Sequence, residues 1–178
     1  MILYREDRLV KTLLLMWHAK SSWKDKDIID HERPLNKRGK VDAPLMGKFI
    51  KEKELTPELI LCSSAKRALL TASDVMDKAK VSKKKLRVLD SLYLAEPSAY
   101  MSELCEIPDN IERVLVIGHN PGLEGLLQIL SGRIESLPTG AIAYLSVPIS
   151  TWSELSDTTE VELIALYRPK ELKKKHKK

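Results

Sequence analysis

Two histidines in this 178-residue chain stand at the ends of apolar runs. His18 follows Leu13-Leu14-Leu15-Met16-Trp17, and His119 follows Val114-Leu115-Val116-Ile117-Gly118. Neither run alternates apolar with polar residues, which is the pattern of a central strand covered on both faces. The carboxyl ends of such strands are where open α/β sheets bind ligands. A third group comes from Ser63-Ser64-Ala65-Lys66-Arg67. If a strand ends at Ser63 and a helix follows, Arg67 lies in its first turn and faces the same edge as His18. A cation there opposes the helix macrodipole, so it needs a compensating anion, either a carboxylate or a bound phosphate. Alone, Arg67 reads as an exposed helix arginine and each His as a structural residue. Three such groups at three strand ends point to a phosphate pocket. Gly118-His119-Asn120-Pro121-Gly122 adds a helix start whose N–H groups favour an anion. No Gly-Lys-Ser/Thr follows, so it is not a Walker loop.

The elements that must position these groups follow from pattern and breakers. The first strand is expected over 11–17, followed by a long polar loop from His18 to Arg33. Loops of that length inside a compact domain are often functional. Pro34 closes it, and Asn36 is placed to cap the next helix. That helix carries a stripe of Val41, Leu45, Met46, Phe49 and Ile50, and Pro44 argues that it starts late. Glu58 to Ser63 reads as a strand, with Ser64 as cap for a helix over 65–80. A short strand follows near Leu86–Leu89. Pro97 opens a helix running to about Ile107, Arg113–Gly118 is the strand before His119, and residues 120–131 are helical with Pro121 in the first turn. Pro138-Thr139-Gly140 is a turn. Residues 141–147 and 161–167 are the last strands, expected to be antiparallel, with Trp152 in the loop between them. This alternation predicts one three-layer α/β domain, with a mostly parallel central sheet and helices on both faces.

Composition fits that reading. The chain is 43% hydrophobic and 31% charged, enough for one core. Its formal net charge is +5, but much of the excess sits in the tail over 170–178, read as a solvated basic run. Without it the domain is nearly neutral, which argues against a nucleic-acid binder. The expected organisation is therefore a short extension over 1–10, the domain over 11–169 and the tail. Cys62 and Cys105 form no Cys-x-x-Cys pair and read as buried free thiols of a reducing compartment. No run approaches the roughly 20 apolar residues of a membrane span, and no secretory signal is visible. The expected setting is the cytoplasm, without membrane or nucleic-acid partners, and as a monomer.

The chain resembles the histidine phosphatase superfamily, and within it the SixA-type phosphohistidine phosphatases. The matching segments are His18-Ala19-Lys20-Ser21-Ser22-Trp23, Arg33-Pro34-Leu35, Arg38-Gly39, Ala43-Pro44-Leu45-Met46-Gly47, Ser63-Ser64-Ala65-Lys66-Arg67-Ala68, Thr71-Ala72, Leu92-Tyr93, Gly118-His119-Asn120-Pro121-Gly122-Leu123-Glu124 and Pro138-Thr139-Gly140. In order and combination they span about 11–169. The resemblance implies a phosphoglycerate mutase-like fold and a phosphatase acting on phosphohistidine. His18 is then the nucleophile, phosphorylated and then hydrolysed. Arg67 holds the phosphoryl oxygens with its planar fork, His119 donates to the same oxygens, and Ser21 and Asn120 lie at the phosphate. Neither metal nor cofactor is needed. The implied partner is a phosphorylated protein such as a histidine phosphotransfer domain, or a small phosphorylated substrate.

One position departs from the family. The residue before the nucleophile is normally arginine, and here it is Trp17. Indole has one N–H and no charge. Losing one oxyanion donor typically costs about 100- to 1,000-fold in rate. The alternative reading is therefore a weakened or inactive member that binds phosphate or a phosphoprotein. Glu96, after Leu92-Tyr93, is the candidate general acid, with a plain helix-start carboxylate as its other reading. A site without a strong acid favours N–P bonds, because imidazole, with a pKa of about 6.5, leaves more easily than an alkoxide.

Overall fold

The computed structural model describes residues 10–175. Most of the expected extension, residues 1–9, and the last three residues of the tail lie outside them. Six strands form one sheet in the order β3-β2-β4-β1-β5-β6. They are β1 (Lys11–Trp17), β2 (Leu59–Ser63), β3 (Leu86–Leu89), β4 (Arg113–Gly118), β5 (Ile142–Val147) and β6 (Glu162–Tyr167). The pairs β2–β3, β2–β4 and β1–β4 are parallel, while β5 runs antiparallel to both β1 and β6. Among the described residues the α-helices are α1 (Gly39–Glu52), α2 (Lys66–Ala79), α3 (Pro97–Cys105), α4 (Gly122–Ser131) and α5 (Pro169–Lys175).

The unbroken apolar run of β1 has its explanation in the layers. Leu13 and Leu15 face one core with Tyr100, Leu104, Leu123 and Leu127 from α3 and α4. Leu14 and Met16 face the other, with Met46 and Ile50 of α1 and Ala72 and Val75 of α2. Because both sheet faces are covered, neither set can be polar. On α2 the buried residues Ala68, Thr71, Ala72, Val75, Met76 and Ala79 recur at helical spacing. Gly47 lets α1 approach α2 closely, since a Cβ there would run into the backbone of Val75.

Several local expectations need correction. The α1 helix starts at Gly39 and carries Pro44 inside it. Asn36 closes the first turn beforehand, as its Oδ1 accepts from the Gly39 N–H at 2.9 Å and its carbonyl accepts from Lys40 at 3.0 Å. Val41 falls off the apolar stripe and is exposed; Ala43 and Gly47 are buried instead. Ser64 does not cap α2: Ser63 Oγ accepts from the Ala65 N–H at 3.3 Å, and Ser64 Oγ bonds the ring of His31. Helix α3 ends at Cys105, and α4 begins at Gly122 after the cis Asn120-Pro121 bond. Trp152 is buried in a short 3-10 turn, donating Nε1–H to the Ile111 carbonyl at 2.8 Å. Cys62 is buried, and burial pushes its thiol up to about 12, whereas Cys105 is only half-buried. The start of the basic tail is not a solvated run. It forms α5, with Leu172 buried in the α1–α2 core and Lys173 paired with Asp42 at 2.5 Å. Among the described residues no helix is long and apolar enough to cross a membrane.

Candidate active site

Strand order, rather than sequence distance, assembles the site. Register pairs Trp17 of β1 with Gly118 of β4, so His18 and His119 leave neighbouring strands side by side. The His18 N–H continues the ladder to the Gly118 carbonyl at 3.1 Å, and the two imidazoles meet edge to face at 5.1 Å. On the other side of β4 lies β2, whose end at Ser63 leads into α2 and delivers Arg67 one residue into that helix. Thr71, one turn further, fixes the junction: its Oγ1 donates to the Arg67 carbonyl at 2.7 Å and accepts from the Ala19 N–H at 3.0 Å.

His18 has a defined tautomer. Its Nδ1 lies 2.8 Å from the Ala19 carbonyl, which can only accept, so Nδ1 carries the proton. Nε2 keeps its lone pair, and Arg67 Nε donates to it at 3.1 Å. Burial, with Arg67 and Arg33 adding to it, pushes the His18 pKa down to about 4. A bond from the Ala19 carbonyl and the charge of Asp30 oppose that shift without overcoming it. The ring is neutral at neutral pH, with Nε2 unprotonated and held by Arg67.

His119 is held the other way round. Ser63 Oγ lies 2.7 Å from Nε2, and Arg67 Nη2 lies 3.4 Å from Nδ1. Since arginine only donates, the proton sits on Nε2 toward Ser63. Burial, His18 and Arg67 push this pKa down to about 3. Tyr100, absent from the sequence reading, positions the backbone here: its hydroxyl accepts from the His119 N–H at 3.0 Å. Gly118 makes room for it, because a Cβ at that position would collide with the Tyr100 hydroxyl.

The anion that Arg67 requires is Asp30, which the sequence analysis did not single out. One carboxylate oxygen accepts from Arg67 Nη2 at 3.0 Å and from the Tyr93 hydroxyl at 2.8 Å; the other accepts from Arg33 Nη1 at 2.7 Å. The Asp30 carbonyl takes Arg67 Nη1 at 2.7 Å. Burial raises the carboxyl pKa, but the bonds from Tyr93 and Arg33 and the charge of Arg67 outweigh it and hold it at about 2. The loop carrying Asp30 is pinned across its base by Ser22 N–H to the Pro34 carbonyl and Asn36 N–H to the Lys20 carbonyl, at 2.8 and 2.9 Å. The only sequence signal for Asp30 was the unmet charge of Arg67; the same loop holds Asp25, Asp27 and Glu32, and nothing in spacing chooses among them.

These groups line one cleft of about 290 Å³, which gathers His18, Arg67, His119, Ser21, Asn120 and Trp17, together with Asp30, Arg33 and Lys20. Asn120 turns its amide to the Leu137 carbonyl at 2.9 Å. Trp17 lies half-buried against His18, ring to ring at 5.8 Å. Glu96 is not in the cleft: it is exposed at the start of α3 and does not cap it. Arg33 is buried at the cleft wall with all three nitrogens engaged, by Ser22, Asp30 and Ser21. Among the described residues no group of three or more His, Cys, Asp or Glu side chains is arranged to hold a metal ion.

No protein-family model matches the chain. It is 34% identical over 143 residues to an uncharacterized protein of Mycobacterium tuberculosis, covering 74% of this chain and 87% of that protein. An uncharacterized protein of Mycobacterium leprae is 32% identical over 168 residues, covering 87% and 100%, and a chloroplastic protein of Arabidopsis thaliana is 30% identical over 153, covering 81% and 70%. Among solved structures, a protein assigned to phosphohistidine phosphatase SixA from Nakamurella multipartitia superposes with a TM-score of 0.79 at 23% identity, covering 90% of this chain and 96% of that one. The protein histidine phosphatase SixA complexed with tungstate gives 0.77 at 24% identity, covering 90% and 99%. The chain therefore belongs to one family with these mycobacterial and plant proteins, and it has the phosphoglycerate mutase-like fold of the solved structures on which it superposes.

Proposed function

We infer that this protein is a phosphatase that cleaves the N–P bond of phosphohistidine through a covalent intermediate on His18. The observation that carries this is the arrangement of His18, with its proton fixed on Nδ1 and an unprotonated Nε2 turned to Arg67. In the first step Nε2 forms a bond to phosphorus while the bond to the substrate's ring nitrogen breaks. The substrate ring, protonated on its other nitrogen, keeps the electron pair and leaves as neutral imidazole. In the second step water attacks phosphorus as the P–Nε2 bond breaks, its electron pair returns to Nε2, and inorganic phosphate leaves with both protons of the water. Arg67 shifts its donors from Asp30 and Nε2 to phosphoryl oxygens, and the fixed charge of Arg33 adds to the field. His119 in its resting tautomer offers a lone pair, so it donates to the phosphoryl group only after taking a second proton. The entering anion makes that favourable by offsetting the charge.

Among the described residues the cleft holds no carboxylic acid ready to protonate a leaving alkoxide, which supports the substrate class. Asp30, held at about 2, is ionised at neutral pH, and Glu96 stands outside the cleft. Imidazole as leaving group needs less protonation than an alkoxide. The tungstate bound by the SixA protein is a tetrahedral oxyanion, which fits the same reading. Incubation of the unmodified chain with a histidine-phosphorylated protein tests it: release of inorganic phosphate is expected, and none at high enzyme concentration contradicts it.

A second reading rests on Trp17. The family's arginine position is an indole in the cleft wall, and Arg33 is tied down by its own partners rather than swung into the gap. A weakened enzyme, or a binder of phosphate groups, follows from that loss. Tight phosphate binding without turnover distinguishes it.

A further inference from the structure

Two indoles line the cleft, and only Trp17 has a place in the reading above. Trp23 stands in the cleft wall with 69% of its surface exposed, an unusual position for so large an apolar ring. It is not loose. The guanidinium carbon of Arg33 lies 3.2 Å from its ring centroid. Arg33 is itself buried and tied to the Ser22 carbonyl at 3.0 Å, to Ser21 Oγ at 2.6 Å and to Asp30 at 2.7 Å. The indole therefore rests on a fixed cationic support that is part of the phosphoryl-binding wall, and its uncovered surface is offered to solvent beside the cleft. Leu94, also exposed, adds apolar surface to the same cleft. The lining is thus divided: cations and imidazoles for a phosphoryl group, and flat apolar surface for whatever carries it.

We propose that Trp23 is the platform for the leaving group, stacking on a planar aromatic ring attached to the phosphoryl group and so selecting aromatic over aliphatic phosphoryl donors. The proposal rests on the phosphatase reading for the identity of that ring, the imidazole of a phosphohistidine. A sugar or alkyl chain presents no flat face and gains little from an indole, whereas an offset-stacked ring gains about tenfold in affinity beyond its buried area.

The test uses equilibrium binding, which does not depend on turnover. Phenylphosphonate and methylphosphonate, both non-hydrolysable, are titrated into the full chain and into Trp23→Ala, Trp23→Leu and Trp23→Phe, with folding checked by circular dichroism. The unmodified chain is expected to prefer phenylphosphonate. Trp23→Ala and Trp23→Leu should lower that preference ratio about tenfold, while Trp23→Phe keeps most of it. Equal ratios in the unmodified chain and in Trp23→Leu would overturn the proposal, as would a parallel loss of both ligands with the ratio intact, which means that the ring only supports Arg33. Phosphoimidazole turnover by the unmodified chain is measured alongside. Absent turnover with a Trp23-dependent binding ratio rejects the phosphatase reading and leaves the platform standing; turnover with no Trp23-dependent ratio does the reverse.

Discussion

Arg67 spends both terminal nitrogens on Asp30, one on its carboxylate at 3.0 Å and one on its carbonyl at 2.7 Å. An incoming phosphoryl group must take those donors over, so Asp30 both aims the guanidinium and competes with the ligand. Asp30→Asn keeps the shape and one acceptor oxygen, which can still take Arg67 and Tyr93, but turns the oxygen facing Arg33 into an NH2 donor and removes the competing charge. Because the Asp30 side chain is 40% exposed, solvent screens the pair, and its worth is about 1 kcal/mol. Inorganic phosphate should then bind about fivefold more tightly to Asp30→Asn by calorimetry. Weaker binding would show that orientation of Arg67 outweighs competition.

The protonation state of His119 gives a pH prediction. Without ligand its pKa is pushed down to about 3, so it is neutral at pH 7. A dianion beside it favours the protonated form and raises that pKa. Binding therefore takes up a proton, and affinity falls as pH rises. Sulfate, which does not titrate in this range, isolates the effect. Calorimetry in buffers of different ionisation enthalpy should show proton uptake on sulfate binding at pH 7, and tighter binding at pH 6 than at pH 8. Binding without proton uptake would mean that His119 keeps its resting tautomer in the complex.

Gly118 and Tyr100 make a structural prediction. Gly118→Ala drives a methyl into the Tyr100 hydroxyl that takes the His119 N–H. Both residues are buried in the centre of the fold, and overpacking there typically costs about 1–3 kcal/mol. Urea denaturation should show a loss of that order. Adding Tyr100→Phe should not rescue it, since ring carbons at 2.8 and 2.9 Å still meet the methyl and the buried His119 N–H loses its acceptor. No loss in the single variant would mean that the strand end shifts freely.

Trp17 separates the two functional readings. Its indole lies against His18, where the resemblance to the histidine phosphatases implies a guanidinium, and Arg33 is held by three hydrogen bonds of its own. Trp17→Arg should raise kcat/KM on a phosphohistidine substrate by about 100-fold. Unchanged or lower activity, with the fold confirmed by circular dichroism, would mean that Trp17 is not a lesion.

Much of this site was legible in the sequence because its parts sit at punctuated places. His18 and His119 end unbroken apolar runs, and Arg67 follows a strand by four residues; parallel strands covered on both faces leave little choice about where such ends lie. The pairing of Trp17 with Gly118 was not legible, because strand order is a tertiary choice that no local pattern encodes. Asp30 was hidden among the other acids of an irregular loop, and its place depends on where Arg67 and Tyr93 meet it. The docking of Leu172 was masked by the lysines around it, and the Ser64 cap failed because His31, distant in sequence, takes that hydroxyl instead.

The central claim is that His18 Nε2 accepts the phosphoryl group. Brief mixing of the full chain with a radiolabelled phosphohistidine protein, followed by alkaline quench and peptide mapping, tests it directly. The account predicts acid-labile, alkali-stable label on the peptide containing His18, absent from His18→Ala. Phosphate release at an unchanged rate by His18→Ala, or label confined to His119, would contradict it.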